Sequence, residues 1–143
     1  MAAFEFAFTL GAGNHYPPAL WMLPVAASQD IEVGDALTIS SGQLAVAGNG
    51  DVIAAIAQEK SDNQAAGTEI RVYIPQPYHV WRAVASADAS SNVLDGTDTY
   101  DLGTSQVVNL ADTSGGGMRI IEQYDVDDNT AIHVQITNAF FGA

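Results

Sequence analysis

The sequence predicts an all-β protein: a small β-barrel, then a second short-stranded β-unit, with an extended N-terminal arm. Three observations predict it. Apolar residues never hold the i, i+3, i+4, i+7 spacing of an amphipathic helix for long. Short apolar or alternating runs return instead, roughly every eight to twelve residues. Gly, Asp, Asn and Ser gather between those runs, where tight turns need residues that tolerate positive φ.

Residues 1–27 form the arm. Phe4, Phe6 and Phe8 alternate with Glu5 and Ala7, which places the three rings on one face of an extended strand. Gly11-Ala12-Gly13 follows, then Pro17-Pro18, Trp21 and Pro24, a composition that favours extended chain with few donated hydrogen bonds. So apolar a segment is expected to wrap its own barrel or to cross to a neighbouring subunit. Residues 1–10 are expected to be an edge strand or strap against another subunit.

Residues 28–77 form the barrel unit. Ala36–Ser40 and Gln43–Ala47 read as a hairpin about Ser41-Gly42, and Gly48-Asn49-Gly50-Asp51 as the next turn. Val52–Ala57 is continuously apolar, as a central strand is. Gln58–Gly67 is a polar loop with room for one helical turn. Thr68–Ile74 alternates, with Ile70, Val72 and Ile74 on one face, and stops at Pro75-Gln76-Pro77.

Residues 78–143 form the second unit. Tyr78–Ala85 resumes as a strand, and Thr99–Leu102 and Gln106–Leu110 read as short strands. The 118–137 hairpin closes it. Met118, Ile120 and Tyr124 run in period two opposite Ile132, Val134 and Ile136, around an Asp127-Asp128-Asn129 turn. Phe140-Phe141 leaves the end of the sequence apolar.

Charge narrows the function. Four basic residues stand against seventeen acids in 143 residues, a formal net charge of −13. Nucleic-acid binders need clustered Lys and Arg to replace counterions on phosphate, and here no two basic residues are adjacent. No nucleic acid is expected as a direct partner. An anionic membrane surface is disfavoured by the same repulsion, and no apolar run approaches a bilayer-spanning length. The first five residues carry no basic n-region, so no secretory leader is expected. With no cysteine, disulfides, thiolate zinc sites and cysteine nucleophiles are excluded together.

The chemistry-bearing residues form no known constellation. No nucleophile elbow, phosphate loop, H-E-x-x-H pair or complete dinucleotide fingerprint occurs, and His15, His79 and His133 lie on separate segments and read as structural. Asp125-x-Asp127-Asp128-Asn129 begins like a calcium loop, but Thr130 replaces its glycine and Ile136 its bidentate glutamate. It reads as a solvated turn. Asp95, Asp98 and Asp101 read as an acidic surface loop, so neither metal nor cofactor is expected. In Tyr78-His79-Val80-Trp81-Arg82, Trp81 lies on the face opposite Tyr78 and Val80; one face is core and the other a subunit contact or sugar platform.

Val33-Gly34-Asp35-Ala36-Leu37-Thr38-Ile39-Ser40-Ser41-Gly42, Asp51–Ala57 and Ala66–Ile74 together resemble the small β-barrel decoration, or cement, proteins of tailed-bacteriophage capsids. The resemblance covers roughly residues 31–74 and brings no catalytic residues with it. It implies binding to the major capsid protein on the outer surface of the virion, as a trimer whose arms exchange between subunits. The expected contacts are then Phe4, Phe6, Phe8, Tyr16, Trp21, Trp81, Phe140 and Phe141. The alternative is a carbohydrate- or receptor-binding β-module of a phage fibre or surface assembly, with Trp81 and Tyr78 lining the sugar site.

Overall fold

The computed structural model describes residues 4–10, 16–94, 99–113, 116–125 and 127–137. Strands and turns make up these residues, with no helix, so the all-β expectation holds. The first sheet contains β2 (Ala19–Pro24), β4 (Ala36–Ser40), β5 (Gln43–Val46), β6 (Ala55–Ala57) and β8 (Glu69–Ile74), in the order β2-β8-β6-β4-β5. The second contains β1 (Glu5–Thr9), β9 (His79–Ala85), β10 (Asp101–Thr104), β11 (Val107–Asn109), β12 (Met118–Gln123) and β13 (Ala131–Ile136). Its order is β10-β11-β9-β13-β12, and β1 also pairs with β9. A two-stranded ribbon joins β3 (Asp30–Ile31) to β7 (Ser61–Asp62), where the sequence suggested a helical turn.

The first sheet curls without closing. Its two edges touch through the parallel bridge Val25–Leu44, just past the end of β2. Ile70, Val72, Ile74, Leu37, Leu44, Ala55 and Ala57 point into the curl with Val25 and Ile31 and form one core. Residues on the opposite face of the same strands (Ala36, Ile56 and Tyr73) pack against the second sheet, in a larger core with Trp81, Ala83, Ile120, Ile132, Val134 and Ile136. Strand alternation lets one sheet serve both cores. The result is an open, sandwich-like arrangement rather than a closed barrel.

Local chemistry explains the joints. The β4–β5 hairpin turns at Ser41 and Gly42, with φ of 50° and 77°, the left-handed pair that matches strand twist. Asp35, buried behind that hairpin, accepts from Glu32 N at 2.9 Å, Gln106 Nε2 at 2.7 Å and Ser105 Oγ at 3.3 Å. It therefore ties the first sheet to the β10–β11 turn. Asp101 does the same from the other side, accepting from Gly50 N at 2.7 Å and Leu102 N at 2.8 Å.

The described parts of the N-terminal segment are woven into both sheets rather than reaching away. β1 pairs with β9 of its own chain, and β2 with β8. The physical reason is burial: Phe4 is 1% exposed within the larger core, and its amide donates to Gly34 O at 2.9 Å. Nor do the three Phe rings share one face. A bulge at Ala7 pairs Phe6 with Trp81 but Phe8 with Val80, so Phe6 faces the core and Phe8 the outside. Ile121 bulges likewise in β12, placing Glu122 opposite His133 and Gln123 opposite Ile132. Tyr124 thereby leaves the phase of Met118 and Ile120 and turns outward.

Candidate functional site

β2 is six residues without a charge, Ala-Leu-Trp-Met-Leu-Pro, in a chain of net charge −13. It lies at the edge of the first sheet, flanked by β8. Its register places Leu20 opposite Tyr73, Trp21 opposite Val72 and Met22 opposite Arg71. Leu20 and Met22 therefore share the face that β8 presents through Arg71 and Tyr73, while Trp21 lies on the face of the curl. Both faces are partly open there: Leu20 is 56%, Trp21 48% and Met22 50% exposed. Tyr16, just upstream, is more exposed still, and its backbone carbonyl lies 3.2 Å from His79 Nε2.

The outer face of the second sheet carries a different group. Both bulges aim residues at His133. Glu122 Oε1 is 2.7 Å from its Nδ1, Tyr124 stacks on the ring at 4.7 Å, and Phe8 meets it edge-on at 5.3 Å. The Arg82 guanidinium sits 5.4 Å from the centre of the Tyr124 ring. His133 is thus nearly buried although its strand faces outward, and among the described residues no group bonds its Nε2. The Glu122 carboxylate accepts a hydrogen bond at Nδ1 and so holds the ring's orientation.

Behind β1 lies an inner aromatic group. Phe6 meets His79 and Trp81 edge-on at 5.6 and 5.7 Å, and Tyr78 lies 4.6 Å from His79. His79 Nδ1 accepts from Gln76 N at 3.0 Å, which leaves Nε2–H to donate to Tyr16 O. Burial holds the His79 pKa below the usual imidazole value, only partly offset by the Tyr16 carbonyl. Both ring nitrogens are engaged in holding chain. The histidine is a joint between β9 and the approach to β2.

The carboxylate clusters are engaged in turns. Asp125 Oδ1 accepts from Asp127 N at 3.0 Å, and Asp128 Oδ1 from Thr130 N at 3.0 Å and Oγ1 at 2.7 Å. The Thr130 hydroxyl and amide hold the Asp128 carboxyl below its ordinary pKa. Asp101 is committed to the Gly50 turn, whereas Asp95 and Asp98 lie outside the described residues. Among the described residues no three His, Asp or Glu side chains gather as metal ligands would.

The expected contact residues therefore separate. Trp81, at 0% exposure, and Phe4 are buried in the larger core of their own chain rather than presented at its surface. Trp81 belongs to the inner face of β9, sealed by Phe6 and Tyr73. Phe6 is half-buried beside it, Phe8 is partly exposed on the outer face, and Tyr16 and Trp21 are exposed. Phe140, Phe141 and His15 lie outside the described residues. Leu20 and Met22 escaped sequence reading. Their neighbours on both sides are apolar, so no alternation marks them as outward-facing. Among known proteins, no family model matches the chain and no curated sequence is similar to it.

Proposed function

We propose that this is a structural virion protein that binds the outer surface of a phage capsid as a homotrimer and cements major capsid subunits. One observation carries the reading: three consecutive large apolar side chains stand half exposed on an edge strand. An edge of that kind invites an added strand, with main-chain bonds giving affinity and alternate side chains giving specificity. Burying the exposed halves of Leu20, Trp21 and Met22 would contribute about 1 kcal/mol each before ordering costs. The resemblance of residues 31–74 supports a capsid subunit as the partner. The sugar-binding alternative relied on Trp81 and Tyr78 together; Tyr78 is 44% exposed, but the Trp81 ring is enclosed.

The test mixes the purified chain with undecorated phage heads and measures co-sedimentation, with the free chain's mass read by sedimentation equilibrium. Wild type should bind as a trimer, and Leu20→Ser with Met22→Ser should release it while leaving the unfolding midpoint unchanged. Heads that ignore the wild-type chain, or bind the double variant equally well, would refute the reading. Binding by a monomer would refute the trimer.

A further inference from the structure

The open edge of β2 resolves bond by bond. Val25, just past its end, donates to Thr68 O and accepts from Gly67 N, both at 2.9 Å and both on the β8 side. Ala26 N turns the other way, to Leu44 O at 2.8 Å. Backbone groups alternate sides along a strand, and β2 keeps an unbroken register with β8. Leu23, Trp21 and Ala19 therefore bond to β8, while Pro24, Met22 and Leu20 point away from it. The Val25–Leu44 bridge closes the Pro24 end of that outer edge, and β5 starts only at Gln43. Leu20 and Met22 remain, each with an N–H and a C=O that no strand meets among the described residues. We infer that this edge binds the same edge of a second copy, antiparallel, about a two-fold axis at Trp21.

The edge is its own complement. In an antiparallel pair, residues that exchange both bonds alternate with residues that exchange none. Centring the axis on Trp21 sets Leu20 opposite Met22 of the second copy, and Met22 opposite Leu20 of the second copy. Each pair exchanges two bonds, so every free group on both edges finds a partner. Trp21 then meets Trp21 in the non-bonded position, with Cα atoms about 4.5 Å apart, where aromatic cross-strand pairs add to stability. Pro18 and Pro24 stand three residues to either side of Trp21 and so oppose each other at the ends. Neither has an N–H to leave unmet, so the ladder stops there. An axis at Leu20 or at Met22 would instead set free groups opposite a proline and lose bonds.

Charge permits the pairing and size limits it. No residue of β2 is charged, so two copies bring no like charges face to face, although each carries −13 overall. Three half-exposed side chains per copy fall short of the ~1,200 Å² that a stable interface buries. The pair is therefore weak between free chains and gains from copies held side by side. Being two-fold, it lies apart from the three-fold contact of the proposed trimer. A capsid segment laid on β2 would take the same backbone groups, so docking exchanges one added strand for another. The self-pairing itself does not depend on the capsid reading.

The experiment follows the isolated chain by sedimentation equilibrium over a range of loading concentrations, and by isotope-filtered NOE on a mixture of labelled and unlabelled chain. The mass should rise above its dilute value with concentration, more at high salt, where repulsion between acidic copies is screened. A cross-copy NOE should join Trp21 Hα to Trp21 Hα, the signature of this register. Met22 N points away from β8, so Met22→Pro removes it without cutting a β2–β8 bond. That variant should associate about tenfold or more weakly than Met22→Ala, which keeps the N–H, at a similar urea midpoint. A mass independent of concentration, cross-copy NOEs that avoid Trp21, or equal association of the two variants would overturn the inference; the NOE needs no variant to fold. Heads that bind a chain whose β2 does not self-pair would remove this inference and leave the capsid reading, and self-pairing in a chain that ignores heads would do the reverse.

Discussion

Deleting one residue from a β-strand ordinarily turns everything beyond it to the wrong face. Here deletion of Ala7 should be tolerated. Phe6 already pairs with Trp81 and Phe8 with Val80, adjacent positions on β9, with Ala7 as the extra residue between them. Removing it leaves a regular strand with the same partners, at the cost of one half-buried methyl group, about 0.8 kcal/mol. If Ala7 were instead an ordinary strand member, the deletion would force a choice. Phe4 and Phe6 would leave the core, or Phe8 and Thr9 would lose their register. Exposing one buried and one half-buried Phe would cost about 3–5 kcal/mol. Urea unfolding at equilibrium separates the cases, with the denaturant slope checked for constancy. A loss of 3 kcal/mol or more would refute the bulge, and with it the account of why Phe8 reaches His133.

The joints between the sheets carry three further predictions. His79 has its folded pKa lowered by burial, so the unfolded chain binds the proton more tightly. Its contribution is complete above the ordinary imidazole value of about 6.5 and is lost as pH falls from there toward the folded pKa; the stability gap between wild type and His79→Gln should therefore narrow from pH 7.5 to pH 5 in paired urea titrations, and a constant gap would contradict this. Asp101→Ala removes two bonds to a carboxylate and should cost about 1.5–3 kcal/mol for each, while calcium should leave the melting temperature of the wild-type chain unmoved, because the carboxylate already holds the Gly50 turn.

What the sequence revealed depended on how local the cause was. Ile70, Val72 and Ile74 alternate without interruption, and their common burial could be read directly. The Ser41-Gly42 turn is set by two residues and could be read as well. The bulges could not, because nothing in Phe-Glu-Phe-Ala-Phe marks one alanine as surplus; the register of β9 decides it. The same holds for Tyr124, whose phase changes only because Ile121 is extruded from the ladder. Trp81 was ambiguous for another reason: His79, Val80 and Trp81 are all buried, so β9 has cover on both faces and no alternation to read.

The outer face of the second sheet and β2 both expose aromatic rings, and their surroundings separate them. On the second sheet Phe8, Tyr124 and Arg82 shield His133, and Glu122 answers its Nδ1, so that group largely completes itself. On β2, among the described residues, nothing comparable covers Leu20 and Met22. Proteins usually defend an apolar edge with charge, proline or a bulge against indiscriminate pairing. β2 has no charge and an unbroken register with β8. Its prolines stand only at the ends, Pro17-Pro18 before it and Pro24 as its last residue. Proline donates no ladder bond, so any strand added to this edge is confined to the few residues between. The edge admits one short segment and stops further growth, which fits docking to a specific partner rather than open-ended sheet extension.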